Sequence, residues 1–176
     1  MNNIKIAFFD IDGTLLELGK TDITANMRKA LCLLKQNGIK ICIATGRAFA
    51  TIPVFDGIVF DAILAFNGSF CIADNQIVAK YPIPKEDVKI IIENAKRMER
   101  PVSIATAENI VANGSDKDLE DYFAIAHHNV NVSEKFEEYV KQDIFQIMLG
   151  CDLEERKHIL EGAKNAKLAA WWDRAV

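Results

Sequence analysis

Hydrophobic residues in this chain come in short blocks whose period changes wherever glycine, proline or acidic residues interrupt them. Residues 4–11 form an almost unbroken apolar run rich in Ile and Phe, the pattern of a strand buried on both faces of a parallel sheet. From Thr24 the apolar residues Met27, Ala30, Leu31, Leu33 and Leu34 recur at helical spacing, and Asn37-Gly38 provides a stop. Two more apolar runs follow: residues 39–44, closed by Thr45-Gly46-Arg47, and residues 61–66, closed by Asn67-Gly68. Strand, helix, strand, short helix, strand predicts right-handed crossovers and a doubly wound, Rossmann-like parallel α/β sheet. Residues 70–73 and 77–79 flank Asp74-Asn75-Gln76 and read as a hairpin.

Pro82 and Pro84 mark a boundary, and the pattern after them is α+β. It predicts helices over 85–100, 117–126, 134–141 and 153–166. Strands are expected over 102–106, 109–112, 144–150 and 167–172. Without sustained alternation, these elements suit a largely antiparallel sheet with helices on one face. The division is therefore 1–83 and 84–176.

Composition narrows the function classes. With 21 Lys and Arg against 25 Asp and Glu, the 176 residues carry a net charge of −4, which argues against a nucleic-acid partner. Half the residues are apolar and 26% are charged, an ordinary globular balance. No window approaches the roughly 18 apolar residues that cross a bilayer, and the start lacks the features of a signal peptide; no membrane partner is expected. Cys32, Cys42, Cys71 and Cys151 lie far apart in apolar contexts with no metal-like spacing. They read as buried thiols of a cytoplasmic protein. The adjacent His127 and His128 read as solvated loop residues and His158 as surface, with no matching Cys or His partners for a metal.

The chemistry is concentrated in Asp10-Ile11-Asp12-Gly13-Thr14, directly after the first apolar run. Ligands of doubly wound sheets bind beyond the carboxyl ends of the strands, and Asp10, Thr45 and Asn67 all fall there. A spacing of two puts both acids on one face of an extended strand, where they repel each other unless a cation sits between them. Magnesium suits such hard oxygen ligands. One carboxylate can then attack phosphorus while the other protonates the leaving oxygen, and Gly13 lets backbone N–H groups approach a phosphate.

This pentad resembles the first motif of the haloacid dehalogenase superfamily. The resemblance implies Asp10 as nucleophile and Asp12 as general acid and base. It also implies Mg²⁺ held by Asp10 and the backbone carbonyl of Asp12, and, because a second Asp suits the phosphatases and phosphomutases of the superfamily, it implies phosphoryl transfer. Ala44-Thr45-Gly46-Arg47 is similar to its second motif, in which the Thr45 hydroxyl holds a phosphoryl oxygen and Gly46 clears the approach. Arg47 reads either as a substrate binder or as part of the next helical turn. Asn67-Gly68 matches a motif of the Cof-type, or IIB, branch and lies beside the crevice; its bland reading is a tight turn.

The α+β segment resembles the C2-type cap of that branch, expected to cover the site and select the leaving group. Family members follow the cap with a lysine and a Gly-Asp motif; Lys157, Lys164 and Lys167 fall in or beside the cap helix and are not assigned that role, and no Gly-Asp pair with a following acid occurs after the cap. The core is therefore expected to be incomplete, and its open sheet invites self-association. The implied function is hydrolysis of a small phosphorylated metabolite, such as a sugar phosphate. The alternative is a truncated, non-catalytic relic that binds phosphate.

Overall fold

The computed structural model describes residues 4–17, 19–125 and 128–169. Chain contacts divide them into two compact units, Met1–Tyr81 and Pro82–Val176.

In the first unit a five-stranded sheet runs in the order β1 (Ile6–Phe9), β2 (Lys40–Ala44), β3 (Ala62–Ala65), β4 (Phe70–Ala73) and β5 (Gln76–Lys80). β1, β2 and β3 are parallel, whereas β4 and β5 are antiparallel additions. The register pairs Phe9 with Ile43 and Ile43 with Ile63, so the carboxyl ends of the parallel strands finish level with one another. The helix α1 (Ala25–Gln36) begins where the Thr24 hydroxyl accepts the Met27 N–H at 3.1 Å and stops at Asn37, followed by the left-handed Gly38. It buries Leu31 in a core with Ile11, Leu15, Leu16, Ile23, Ile41, Ile43, Phe55 and Ile58. Burying one such leucine contributes about 2 kcal/mol. Asp74 and Asn75 both adopt positive φ, which makes the β4–β5 connection a two-residue hairpin turn matched to the twist of the strands.

Two expectations need correction in this unit. β1 is not buried on both faces: Ile4, Ile6 and Phe8 are 67, 43 and 53% exposed. β1 lies at the edge of the sheet, and the side chains at alternate positions on one face of it meet solvent. The short helix expected between β2 and β3 is only the 3-10 turn Phe49–Thr51.

In the second unit β6 (Val102–Ala105) lies between β7 (Ile110–Ala112) and β8 (Gln146–Leu149), all antiparallel. The helices are α2 (Lys85–Arg97), α3 (Lys117–Ile125), α4 (Phe136–Val140) and α5 (Arg156–Ile159). Val88, Ile91, Val102, Ile104, Phe136, Ile144 and Leu149 are among its core residues. Arg100 grips Glu155 with two nitrogens and reaches Asp116 and Asp118 with a third. Gly150 admits no side chain, because a Cβ there would lie 2.5 Å from that of Asp118.

The helix expected over 153–166 is reduced to the four residues of α5, because tertiary partners take the backbone groups that a longer helix would pair. The Asn94 amide donates to the carbonyls of Ile159 and Glu161. The buried Asp87 carboxylate accepts the N–H groups of Lys164, Asn165 and Ala166 at 2.7–3.1 Å. Of the strand expected over 167–172, residues 167–169 are not extended in a sheet, and residues 170–172 lie outside the described residues.

Candidate active site

Asp10 follows β1 directly and is exposed. Its Oδ1 accepts the Ile11 N–H at 2.8 Å, which fixes the carboxylate at the mouth of the turn. Ile11 points inward and is fully buried, and the chain then doubles back: Leu15 N donates to Asp10 O, and Leu16 N to Ile11 O. Gly13 takes φ +76 in this turn, a conformation that disfavours other residues. Its own N–H donates to Leu16 O at 2.8 Å.

One cation beside Asp12 belongs to the chain itself. Arg47 Nε donates to Asp12 Oδ2 at 2.8 Å and Nη2 to Asp12 Oδ1 at 2.6 Å, a two-pronged fork. Nη1 reaches the Thr51 carbonyl at 3.3 Å. These bonds to Asp12 hold the Arg47 guanidinium above its ordinary range against the opposing effect of burial, and the charges of Asp12 and Asp10 add to them. Arg47 thus lies in a bend rather than in a helical turn, with its side chain 25% exposed. Its role as partner of Asp12 was invisible at a sequence separation of 35.

Thr45 is buried where β2 ends, and its Oγ1 accepts the Arg47 N–H at 3.1 Å, which leaves the hydroxyl proton to be donated elsewhere. Gly46 occupies the bend between the two. The third strand end is fastened to this bend. Phe66 N donates to Arg47 O and Asn67 N to Thr45 O, both at 3.0 Å. Phe66 and Asn67 are both left-handed, with φ 49 and 54. Asn67 is exposed beside the crevice, whereas Phe66, a residue that sequence reasoning missed, is buried. An Asn-Gly pair signals positive φ at asparagine, but nothing in the sequence signals it at the preceding aromatic.

Among the described residues, no group of three or more His, Cys, Asp or Glu could hold a metal. The donor set near Asp10 nevertheless fits magnesium, which takes one or two protein oxygens and completes its octahedron with water and substrate phosphate. Asp10 offers a carboxylate. Asp12 has its carboxylate engaged by Arg47, so its available oxygen is the backbone carbonyl. Cysteine chemistry is not favoured: all four thiols are free, and burial pushes those of Cys42 and Cys151 up, away from the thiolate.

Known proteins resemble this chain over most of its length. The family described as haloacid dehalogenase-like hydrolase matches residues 7–172. The Bacillus subtilis (strain 168) protein named "Putative phosphatase YkrA" is 29% identical over 156 residues, which make up 87% of this chain and 60% of that protein. Among solved structures, the phosphatase BT1666 of Bacteroides thetaiotaomicron, from the same enzyme superfamily, superposes with a TM-score of 0.84 at 26% identity. The match covers 98% of this chain and 65% of that one. The subclass IIB sugar phosphatase BT4131 gives a TM-score of 0.77 at 26% identity, over 97% of this chain and 68% of that one.

Proposed function

The chain belongs to the haloacid dehalogenase-like hydrolases, and from that premise we propose that it forms the nucleophile-bearing part of a magnesium-dependent phosphatase acting on phosphomonoesters of small metabolites such as sugar phosphates. The observation that carries this reading is the exposed Asp10 carboxylate at the end of β1, next to Asp12 held by Arg47 and to the buried Thr45 hydroxyl. The sugar-phosphate class is supported by the likeness to a subclass IIB sugar phosphatase.

In this mechanism an Asp10 oxygen attacks phosphorus, the ester P–O bond breaks, and the leaving oxygen takes a proton from Asp12. An aspartyl-phosphate remains on Asp10. A water then loses its proton to Asp12 as it attacks the phosphorus, and phosphate departs with Asp10 restored. Thr45 donates its hydroxyl proton to a phosphoryl oxygen, and the glycines at 13 and 46 keep the approach open; Asn67 lies at the rim. Asp10 and the Asp12 carbonyl would hold Mg²⁺, which when bound offsets the charge between carboxylate and phosphate.

The second unit is read as a cap domain of the C2 type, and the division expected between residues 83 and 84 lies two residues beyond the boundary at Tyr81. The exposed Ile4, Ile6 and Phe8 on the edge strand support self-association through the open sheet. The free cysteines support a cytoplasmic setting, and among the described residues no helix is long and apolar enough to cross a membrane.

The test is hydrolysis of an aryl phosphate with and without Mg²⁺. Turnover is expected to need the metal and to fall about 10³-fold or more in Asp10→Asn. Turnover that survives in Asp10→Asn overturns the mechanism. The lack of a third metal-ligating side chain among the described residues favours a second reading, a phosphate-binding relic. That reading predicts binding of inorganic phosphate with no turnover.

A further inference from the structure

We propose that Phe66 and Asn67 are positioning residues: their consecutive left-handed turn fixes the backbone of residues 45–47 and thereby sets the Arg47 fork on Asp12. The proposal rests on the reading of Asp12 as the proton carrier, but its geometry stands by itself.

Non-glycine residues at positive φ are uncommon, and a bulky aromatic there is a true outlier. Here Phe66, Asn67 and Gly68 are left-handed in succession, with φ 49, 54 and 91. Such strain persists only where the surroundings over-determine it, and it collects at functional sites. The surroundings in this case are specific. The Phe66 and Asn67 N–H groups donate to Arg47 O and Thr45 O, the two residues that flank Gly46. Gly46 has no side chain with which to hold the bend, so the direction in which residue 47 leaves it is set from outside. The buried Phe66 ring anchors the turn to the core side. From that backbone, Arg47 reaches Asp12 with two nitrogens and Thr51 O with a third.

The experiment follows the Arg47 Nε–H resonance by ¹⁵N NMR on the 176-residue chain. The resonance is identified by its loss in Arg47→Lys and its shift in Asp12→Asn. In Asn67→Gly and Asn67→Asp, which tolerate a left-handed backbone, it is expected to stay at its native position. In Asn67→Ala it is expected to exchange about tenfold faster or to vanish, because the strained turn opens. If Asn67→Ala does not fold, Gly68→Ala takes its place with the same expectation: it meets the same backbone strain, and an added Cβ there meets nothing within 4 Å. The proposal is overturned if these alanine variants keep the native signal, if folded Asn67→Gly loses it, or if the resonance ignores Asp12→Asn. The readout needs no turnover, so an inactive chain with this pattern intact fails the phosphatase reading alone.

Discussion

Each unit of the chain uses one arginine to hold carboxylates, and the two are built differently. Arg100 is surrounded: Glu155, Asp116 and Asp118 take its nitrogens at 2.9–3.2 Å, and all four side chains are 20–25% exposed. Arg47 holds a single carboxylate, that of Asp12, whose side chain is 49% exposed, with Asp10 exposed nearby. The first arrangement ties the segment between α2 and β6 and the residue before α5 to the start of α3 and leaves little charge for anything else. The second leaves carboxylate oxygens facing solvent at a strand end, where a ligand can reach them. Acidic residues around an arginine therefore mean different things according to how completely the arginine is used.

The sharpest way to break this comparison is to remove each arginine. Arg100→Ala leaves three partly buried acids facing one another and is expected to destabilise the second unit by about 2 kcal/mol in urea unfolding. The loss of Asp87 comes next. Its carboxyl is held below its ordinary range by the N–H groups of Asn165 and Lys164. A lowered native pKa gives stability that is present above the unfolded value, near 3.8, and lost as pH falls through the native one. Acid unfolding followed by circular dichroism should therefore show the second unit weakening below about pH 4, and Asp87→Asn should flatten that limb. Arg47→Gln is expected to cost the first unit less than about 1 kcal/mol, as for other half-exposed pairs. A loss matching that of Arg100→Ala would erase the distinction. Smallest of all, Phe8→Ser on the exposed face of β1 should change stability by less than about 0.5 kcal/mol.

Much of the first unit was legible because its signals are local. Thr24 and Asn37-Gly38 bracket α1, and alternating apolar blocks delimit β2 and β3. The hairpin turn needs only Asp74-Asn75 with their tolerance of positive φ. Asp10, Thr45 and Asn67 could be placed at one edge of the sheet because parallel strands in register end together. What escaped the sequence depends on partners distant along the chain. The fork of Arg47 on Asp12 is one example, and the left-handed Phe66 held by residue 47 is another. Apolar spacing over 153–166 suggested a helix, and it fails there because Asp87 and Asn94 bind those backbone groups from far upstream. β1 was misread because an apolar run cannot say whether anything covers its second face.

The way α2 holds that same segment has a consequence for how its sequence can drift. Asp87 and Asn94 grip this segment mainly by its main-chain N–H and C=O groups, which every residue carries apart from the N–H that proline lacks, and Asp87 also takes the Asn165 side chain. The route of residues 159–166 is thus encoded some 70 positions earlier, in two polar side chains of a helix. Apart from the buried Ile159, the left-handed Gly162, Asn165 and the core-packed Leu160, Ala163 and Ala166, the letters of that stretch are free to be rewritten without moving the path they follow.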